Sequence, residues 1–133
     1  MRQYIGTKII FAEPCEKSGV PGYRVIYPDG YESWSPQAVF EEAYRPTNGL
    51  NFGLALEAAK KGHRIARSGW NGKGQWVELG EHITYNYGDF RILARHEDID
   101  SQALVFCGTR GRQVGWLASQ ADMLADDWMI VEV

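Results

Sequence analysis

No strictly apolar run in this chain extends beyond a few residues; Ala103-Leu104-Val105-Phe106-Cys107 is among the longest. Fifteen glycines punctuate the 133 residues, about 11% against a usual share of roughly 7%. Such spacing favours short strands joined by tight turns and leaves no stretch from which a membrane-spanning helix could be built. Apolar residues at 44% and charged residues at 23% are ordinary for a globular protein and exclude a low-complexity chain. The mass of 15.0 kDa allows one domain or two very small ones. No basic stretch followed by an apolar run opens the sequence, so no signal peptide is visible.

Residues 1–47 read as a small β-rich unit ending in a helix. Tyr4 to Ala12 is β-branched and apolar, and predicts a strand. Gly22 to Tyr27 alternates, Pro28-Asp29-Gly30 is a turn, and Tyr31 to Trp34 is the returning strand. Ser35-Pro36 predicts a helix start with Ser35 as cap and a hydrophobic staple between Trp34 and Val39. That helix should end near Tyr44, ahead of Arg45-Pro46. Thr47-Asn48-Gly49 is a polar joint.

Residues 51–133 form the second part. Asn51 caps a helix with Phe52, Ala55, Leu56 and Ala59 on one face, stopped by Gly62. His63 to Arg67 and Gln75 to Leu79 predict strands around the loop Ser68 to Gly74. Gln102 to Cys107 and Gln113 to Trp116 predict a hairpin across Gly108 to Arg112. Ser119-Gln120-Ala121-Asp122 fits a capping box, and Trp128 to Val133 a final strand. Residues 80–100 carry no clear pattern. The fold class is α+β, with small, mainly antiparallel β-sheets each packed by a helix.

Catalytic signatures are missing. There is no Walker A loop, no GxSxG elbow and no calcium loop, and His63, His82 and His96 fall in no metal-ligand spacing. No metal and no cofactor are expected. Cys15 and Cys107, 92 positions apart, read as reduced thiols of a cytosolic protein. Net charge is −3, from 14 basic and 17 acidic residues. No nucleic-acid polymer is therefore expected as a partner.

One window stands out, Arg64 to Trp76. Between residues 60 and 73 lie Lys60, Lys61, Arg64, Arg67 and Lys73 with no acid among them. Gly69, Gly72 and Gly74 let backbone amides face outward as an anion-binding concavity. Trp70 offers a stacking face for a base, and Asn71 a donor–acceptor pair for its edge. Stacking, edge reading and phosphate neutralisation suit a nucleotide-like ligand. The same residues also suit an ordinary hairpin turn above a core tryptophan, and both readings stand.

Three blocks add to this: Asn51-Phe52-Gly53-Leu54-Ala55-Leu56, Ala66-Arg67-Ser68-Gly69-Trp70-Asn71-Gly72-Lys73-Gly74, and Gly115-Trp116-Leu117-Ala118-Ser119-Gln120-Ala121-Asp122-Met123-Leu124-Ala125-Asp126-Asp127-Trp128. Through them residues 51–133 resemble the phage-encoded Thoeris anti-defence proteins of the second type. The resemblance implies a non-enzymatic sponge in the bacterial host cytoplasm. Such proteins bind cyclic ADP-ribose-type messengers, notably glycocyclic ADP-ribose, and some take cyclic dinucleotides at a separate site. They form homotetramers with pockets near subunit boundaries. Block and resemblance together assign stacking to Trp70 and Trp116, phosphate contacts to Arg67, Lys73 and the Gly72 amide, and base or ribose hydrogen bonds to Asn71, Ser119, Gln120 and Asp122. Residues 1–47 resemble N-terminal modules of other small phage proteins and carry no assigned activity. Rival functions are an interaction module with exposed tryptophans, a hydrolase that destroys the messenger, and a single-strand nucleic-acid binder.

Overall fold

The computed structural model describes residues 1–70, 74–80, 83–87, 90–94 and 102–131, with backbone alone at 83–87 and 90–94. The chain divides into two compact units, Met1–Pro46 and Thr47–Val133.

The first unit is a three-stranded antiparallel sheet of order β1-β2-β3, made of β1 (Phe11–Pro14), β2 (Gly22–Ile26) and β3 (Glu32–Pro36). The Pro28-Asp29-Gly30 turn is formed: Gly30 takes φ +88°, its amide donates to the Tyr27 carbonyl at 2.9 Å, and Asp29 accepts the Tyr31 amide at 3.0 Å. Helix α1 (Gln37–Ala43) packs on this sheet through rings, with Tyr23 stacked on Phe40 at 4.1 Å and Phe40 on Tyr44 at 5.0 Å. Between them lies Val25, at 1% exposure the unit's one fully buried large side chain.

Three expectations need correction here. The strand predicted from Tyr4 begins only at Phe11. Its register pairs Phe11 with Ile26, so Ile9 would meet Pro28, where β2 turns away. Ser35 does not cap α1. It sits in β3 opposite Tyr23, Pro36 is the cap residue, and no side chain supplies a cap hydrogen bond. The Trp34–Val39 staple is also not formed: Val39 is exposed, while the Trp34 ring lies over Gly22 and its Nε1 donates to the Cys15 carbonyl at 2.8 Å. The ladder continues two residues further than the turn chemistry of Ser-Pro suggests, to Pro36, and the helix start moves on by one.

The second unit opens with α2 (Phe52–Lys60), whose first turn is capped by Asn51 accepting the Leu54 amide at 2.8 Å. Gly62 at φ +97° ends it. Ala55, Ala58 and Ala59 are buried against a five-stranded antiparallel sheet of order β10-β4-β5-β8-β9. Its strands are β4 (Arg64–Arg67), β5 (Trp76–Gly80), β8 (Ala103–Gly108), β9 (Gly111–Val114) and β10 (Trp128–Val131). Small alanines let the helix axis approach the sheet closely, and Leu50, Ile65, Val77 and Trp128 fill the space between. A separate hairpin pairs β6 (Ile83–Tyr87) with β7 (Phe90–Ala94). Helix α3 (Gln120–Met123) is a single turn.

The hairpin expected across Gly108 to Arg112 is tighter than predicted. Gly108 pairs with Gly111, leaving the two-residue loop Thr109-Arg110, and Gly111 at φ +125° begins the return strand. The return strand stops at Val114, where the amides of Gly115 and Trp116 both donate to the Leu104 carbonyl at 2.9 Å and make a bulge. The three- and five-stranded sheets are small and antiparallel and each carries a helix, an α+β fold.

Candidate ligand-binding site

Alternation along β4 sends Ile65 and Arg67 to the same face of the sheet, and the partner register sets Trp128 opposite Arg67. Beyond Arg67 the chain turns at Ser68-Gly69, with the Trp70 amide donating to the Arg67 carbonyl at 3.3 Å. This turn returns the Trp70 indole over the sheet. There it meets Phe106, Trp116 and Trp128 at centroid distances of 5.7, 6.0 and 5.5 Å, all edge-to-face. Trp116 and Trp128 meet in the same way at 6.1 Å. Edge-to-face rings place the positive rim of one against the negative face of another, worth about 0.5–1.5 kcal/mol per pair beyond the area they bury. Trp128 is fully buried; Trp70 and Trp116 keep part of their surface open.

Arg67 lies beside this cluster and is held on two sides. Its Nε donates to Asp127 Oδ1 at 2.9 Å and its Nη1 to Asp122 Oδ1 at 3.0 Å. The Ser68 hydroxyl donates to the other Asp127 oxygen at 3.1 Å. Asp122 is shared with the helix cap: its Oδ2 accepts the Ser119 amide at 3.0 Å while Ser119 Oγ accepts the Asp122 amide at 3.1 Å. The Trp128 indole N–H closes the circuit by donating to the Asp122 carbonyl at 2.8 Å. The pKa directions follow. The bonds to Asp127 and Asp122 raise Arg67 above its ordinary value. Hydrogen bonding from Arg67 holds Asp127 below the usual carboxylate value. Burial pushes Asp122 up, but the bonds from Ser119 and Arg67 outweigh it and leave the group lowered.

The predicted ligand residues therefore divide. Arg67, Trp70, Trp116, Ser119 and Asp122 are brought together around Trp128. Within that group Arg67 and Asp122 are bonded to each other, and Ser119 is engaged in the cap. Gln120 opens α3 with an exposed side chain. Asn71, Gly72 and Lys73 lie outside the described residues. Sequence reasoning gave no role to Asp127, Phe106 or Trp128, which bond to or pack against the named residues. Their signal was faint, since Asp127 stands 60 positions from Arg67.

The basic window is also less charged than it reads. Arg64 lies with its guanidinium 4.4 Å from the Trp76 ring centroid and 3.5 Å from Glu78. Lys60 pairs with Glu57 at 3.6 Å, and Arg67 with two aspartates. Acids absent from residues 60–73 are supplied by α2, β5 and the segment around α3. Glu78 also accepts from the Trp76 indole at 3.2 Å and from the Cys107 thiol at 3.5 Å. Burial, followed by the charge of Glu78, pushes that thiol up, away from the nucleophilic thiolate. Among the described residues no group of three or more His, Cys, Asp or Glu is disposed to hold a metal ion. No helix there is long and apolar enough to cross a membrane.

Residues 50–131 match the family model described as the Thoeris anti-defense 2-like domain, Tad2-like. The chain is also 33% identical over 89 residues to Thoeris anti-defense 2 of Bacillus phage SP01, a match covering 62% of this chain and 94% of the relative. The matched span includes α2, the Trp70 turn, the aromatic cluster and the capped α3.

Proposed function

The chain belongs to the Thoeris anti-defense 2-like family, and from that premise we propose that it is a phage-encoded sponge in the host cytoplasm. It binds a cyclic nucleotide messenger of the glycocyclic ADP-ribose type, with cyclic dinucleotides as further candidates, and withholds it without cleaving it. The supporting observation is the half-open pair Trp70 and Trp116, braced edge-to-face from beneath by the buried Trp128. A ring fixed in this way loses little freedom when a base stacks on it, which lowers the entropic cost of binding. Gln120 stands exposed at the start of α3, next to Ser119 of the cap. Asn71, the Gly72 amide and Lys73 complete the reading as base and phosphate contacts.

Arg67 takes a different part in this proposal from the one its position in the sequence suggests. With two aspartates on its guanidinium it positions the turn and α3 more than it neutralises a phosphate. A sponge requires affinity and stoichiometry but no general base, in keeping with an inert Cys107. Leu117 at 90% and Leu124 at 78% exposure flank Trp116 and α3. Apolar residues this open suit a subunit boundary, and the proposed assembly is a homotetramer.

The test is to incubate the purified protein with glycocyclic ADP-ribose and a panel of cyclic dinucleotides, filter, heat-denature and analyse the released molecules. Depletion followed by recovery of intact messenger is expected. Altered products would make the protein an enzyme. No depletion would sink the sponge reading in favour of an interaction module. Trp70→Phe, which keeps an aromatic filler in the cluster, should bind at least several-fold more weakly with only a modest drop in melting temperature.

A further inference from the structure

The first unit carries a strand that its own sheet cannot use. Tyr4 to Ile10 has the composition of a strand, and β1 continues directly from it, yet in the structure it belongs to no strand. The cause is register. Phe11 pairs with Ile26, so the residues before it run past the end of β2, which turns at Pro28-Asp29-Gly30. Seven residues, about 23 Å at strand rise, overhang the sheet. The outer residues are not folded back to shield their apolar side chains: Ile5 is fully exposed and Tyr4 86% exposed, while Ile9 and Ile10, nearest β1, are half-buried. The neighbouring Lys8 ammonium lies 5.0 Å from the Tyr27 ring centroid, so the overhang leaves β1 in strand direction alongside the turn.

We propose that Tyr4–Ile10 is a pairing arm, and that its partner is the same segment of a second copy of this chain, antiparallel about Thr7. The sequence is complementary to itself in that register. Ile5 faces the second copy's Ile9, Thr7 faces its own counterpart, Tyr4 faces Ile10, and Gly6 leaves room opposite Lys8. No two like charges stand opposite, and β-branched residues meet across the pair, the combination that stabilises cross-strand neighbours. Ile5, Thr7 and Ile9 fall on the face that continues to Phe11, so the two arms merge their apolar rows. The arms join the two sheets edge to edge, with Phe11 opposite Gln3 of the second copy, so two three-stranded sheets become one of six strands. This pairing involves only the first unit and is independent of messenger binding by the second.

Disulfide trapping in the full chain tests it, in a Cys15→Ser background. Thr7→Cys should give many-fold more disulfide-linked dimer than Asp29→Cys, a control in the exposed turn. Ile5→Cys and Ile9→Cys should each fail alone and crosslink when mixed. Thr7→Pro, which removes a ladder donor, should lower the sedimentation mass of the otherwise native chain while messenger retention stays unchanged. Crosslinking of Thr7→Cys no greater than that of Asp29→Cys, or an unchanged mass for Thr7→Pro, would overturn the proposal.

Discussion

The two units of this chain solve the same packing problem with very different means. The second places a helix of small residues against five strands and fills the gap with Trp128, Ile65 and Val77, all fully buried. The first covers three strands with a seven-residue helix and fully buries only Val25 among its large side chains. In place of a deep core it has a row of stacked rings and a surface lattice. Tyr23 donates to Glu41 at 2.7 Å, and Arg24 is held between Glu13 and Glu32. Exposed ion pairs of this kind contribute little, a few tenths of a kcal/mol to about 1. A unit built so is stable mainly through area shared among half-buried aromatics, and small units of this size are marginal alone. Surplus apolar surface such as Ile5 is then less surprising in the first unit than it would be in the second.

Trp128→Ala tests this contrast most severely. It removes the ring on which Phe52, Trp70 and Trp116 all pack, and the partner of the Asp122 carbonyl. A loss of about 3–5 kcal/mol is expected in urea unfolding, confined to the second unit. Val25→Ala, the corresponding lesion in the first unit, should cost about 2 kcal/mol. Equal losses at the two sites would erase the distinction. Gly22→Ala sharpens it from the other side. A Cβ there would lie 2.4 Å from the Ser35 carbonyl oxygen and 2.4 Å from the Trp34 ring, so β3 must shift. Overpacking of this sort costs roughly 1–3 kcal/mol, and a hydrogen-exchange map should show protection lost in β2 and β3 while β4 and β5 keep theirs.

Smaller effects probe the cap. Ser119→Ala removes the acceptor of the Asp122 amide and should cost about 1 kcal/mol by thermal melting. Asp122→Asn should exceed it, since it weakens both the cap and the Arg67 pair. The pH dependence has a definite sign. Asp122 and Asp127 are lowered in the fold from an ordinary value of 3.8. Their contribution is therefore complete above about that pH and lost as pH falls below it, when the folded-state groups take up protons. Melting curves between pH 6 and 2.5 should show the second unit weakening below pH 4. Asp127→Asn should flatten that decline. A decline beginning near neutrality would point to some other group.

Local chemistry was legible in the sequence wherever one segment decides the outcome. The Asn51 and Ser119 caps, the Gly62 stop and the Pro28-Asp29-Gly30 turn depend on neighbours within four residues, and all are present. Register was not legible, because the length of β1 is set by where β2 turns, 17 residues after Phe11. Ser35 was misread for the same reason: the pull of the β2–β3 ladder outweighs its preference as a cap. In the site, a tryptophan beside a glycine turn was visible. That its ring would be met edge-on by residues 106, 116 and 128 depends on β8, the bulge and β10 converging. The charge of the basic window was misread most, since its acids come from elsewhere in the chain.

That last point bears on the thermodynamics of association. A guanidinium or ammonium already paired within the fold has few condensed counter-anions to release when a phosphate arrives. With Lys60, Arg64 and Arg67 so engaged, the gain from expelling small ions is reduced at those three side chains. Affinity for an anionic ligand then rests more on shape and stacking, and falls less steeply as ionic strength rises. Abundant polyanions of the cell, RNA above all, compete through just the contribution that this pairing reduces. Under the proposed function, a small messenger recognised by its rings would be held selectively in their presence.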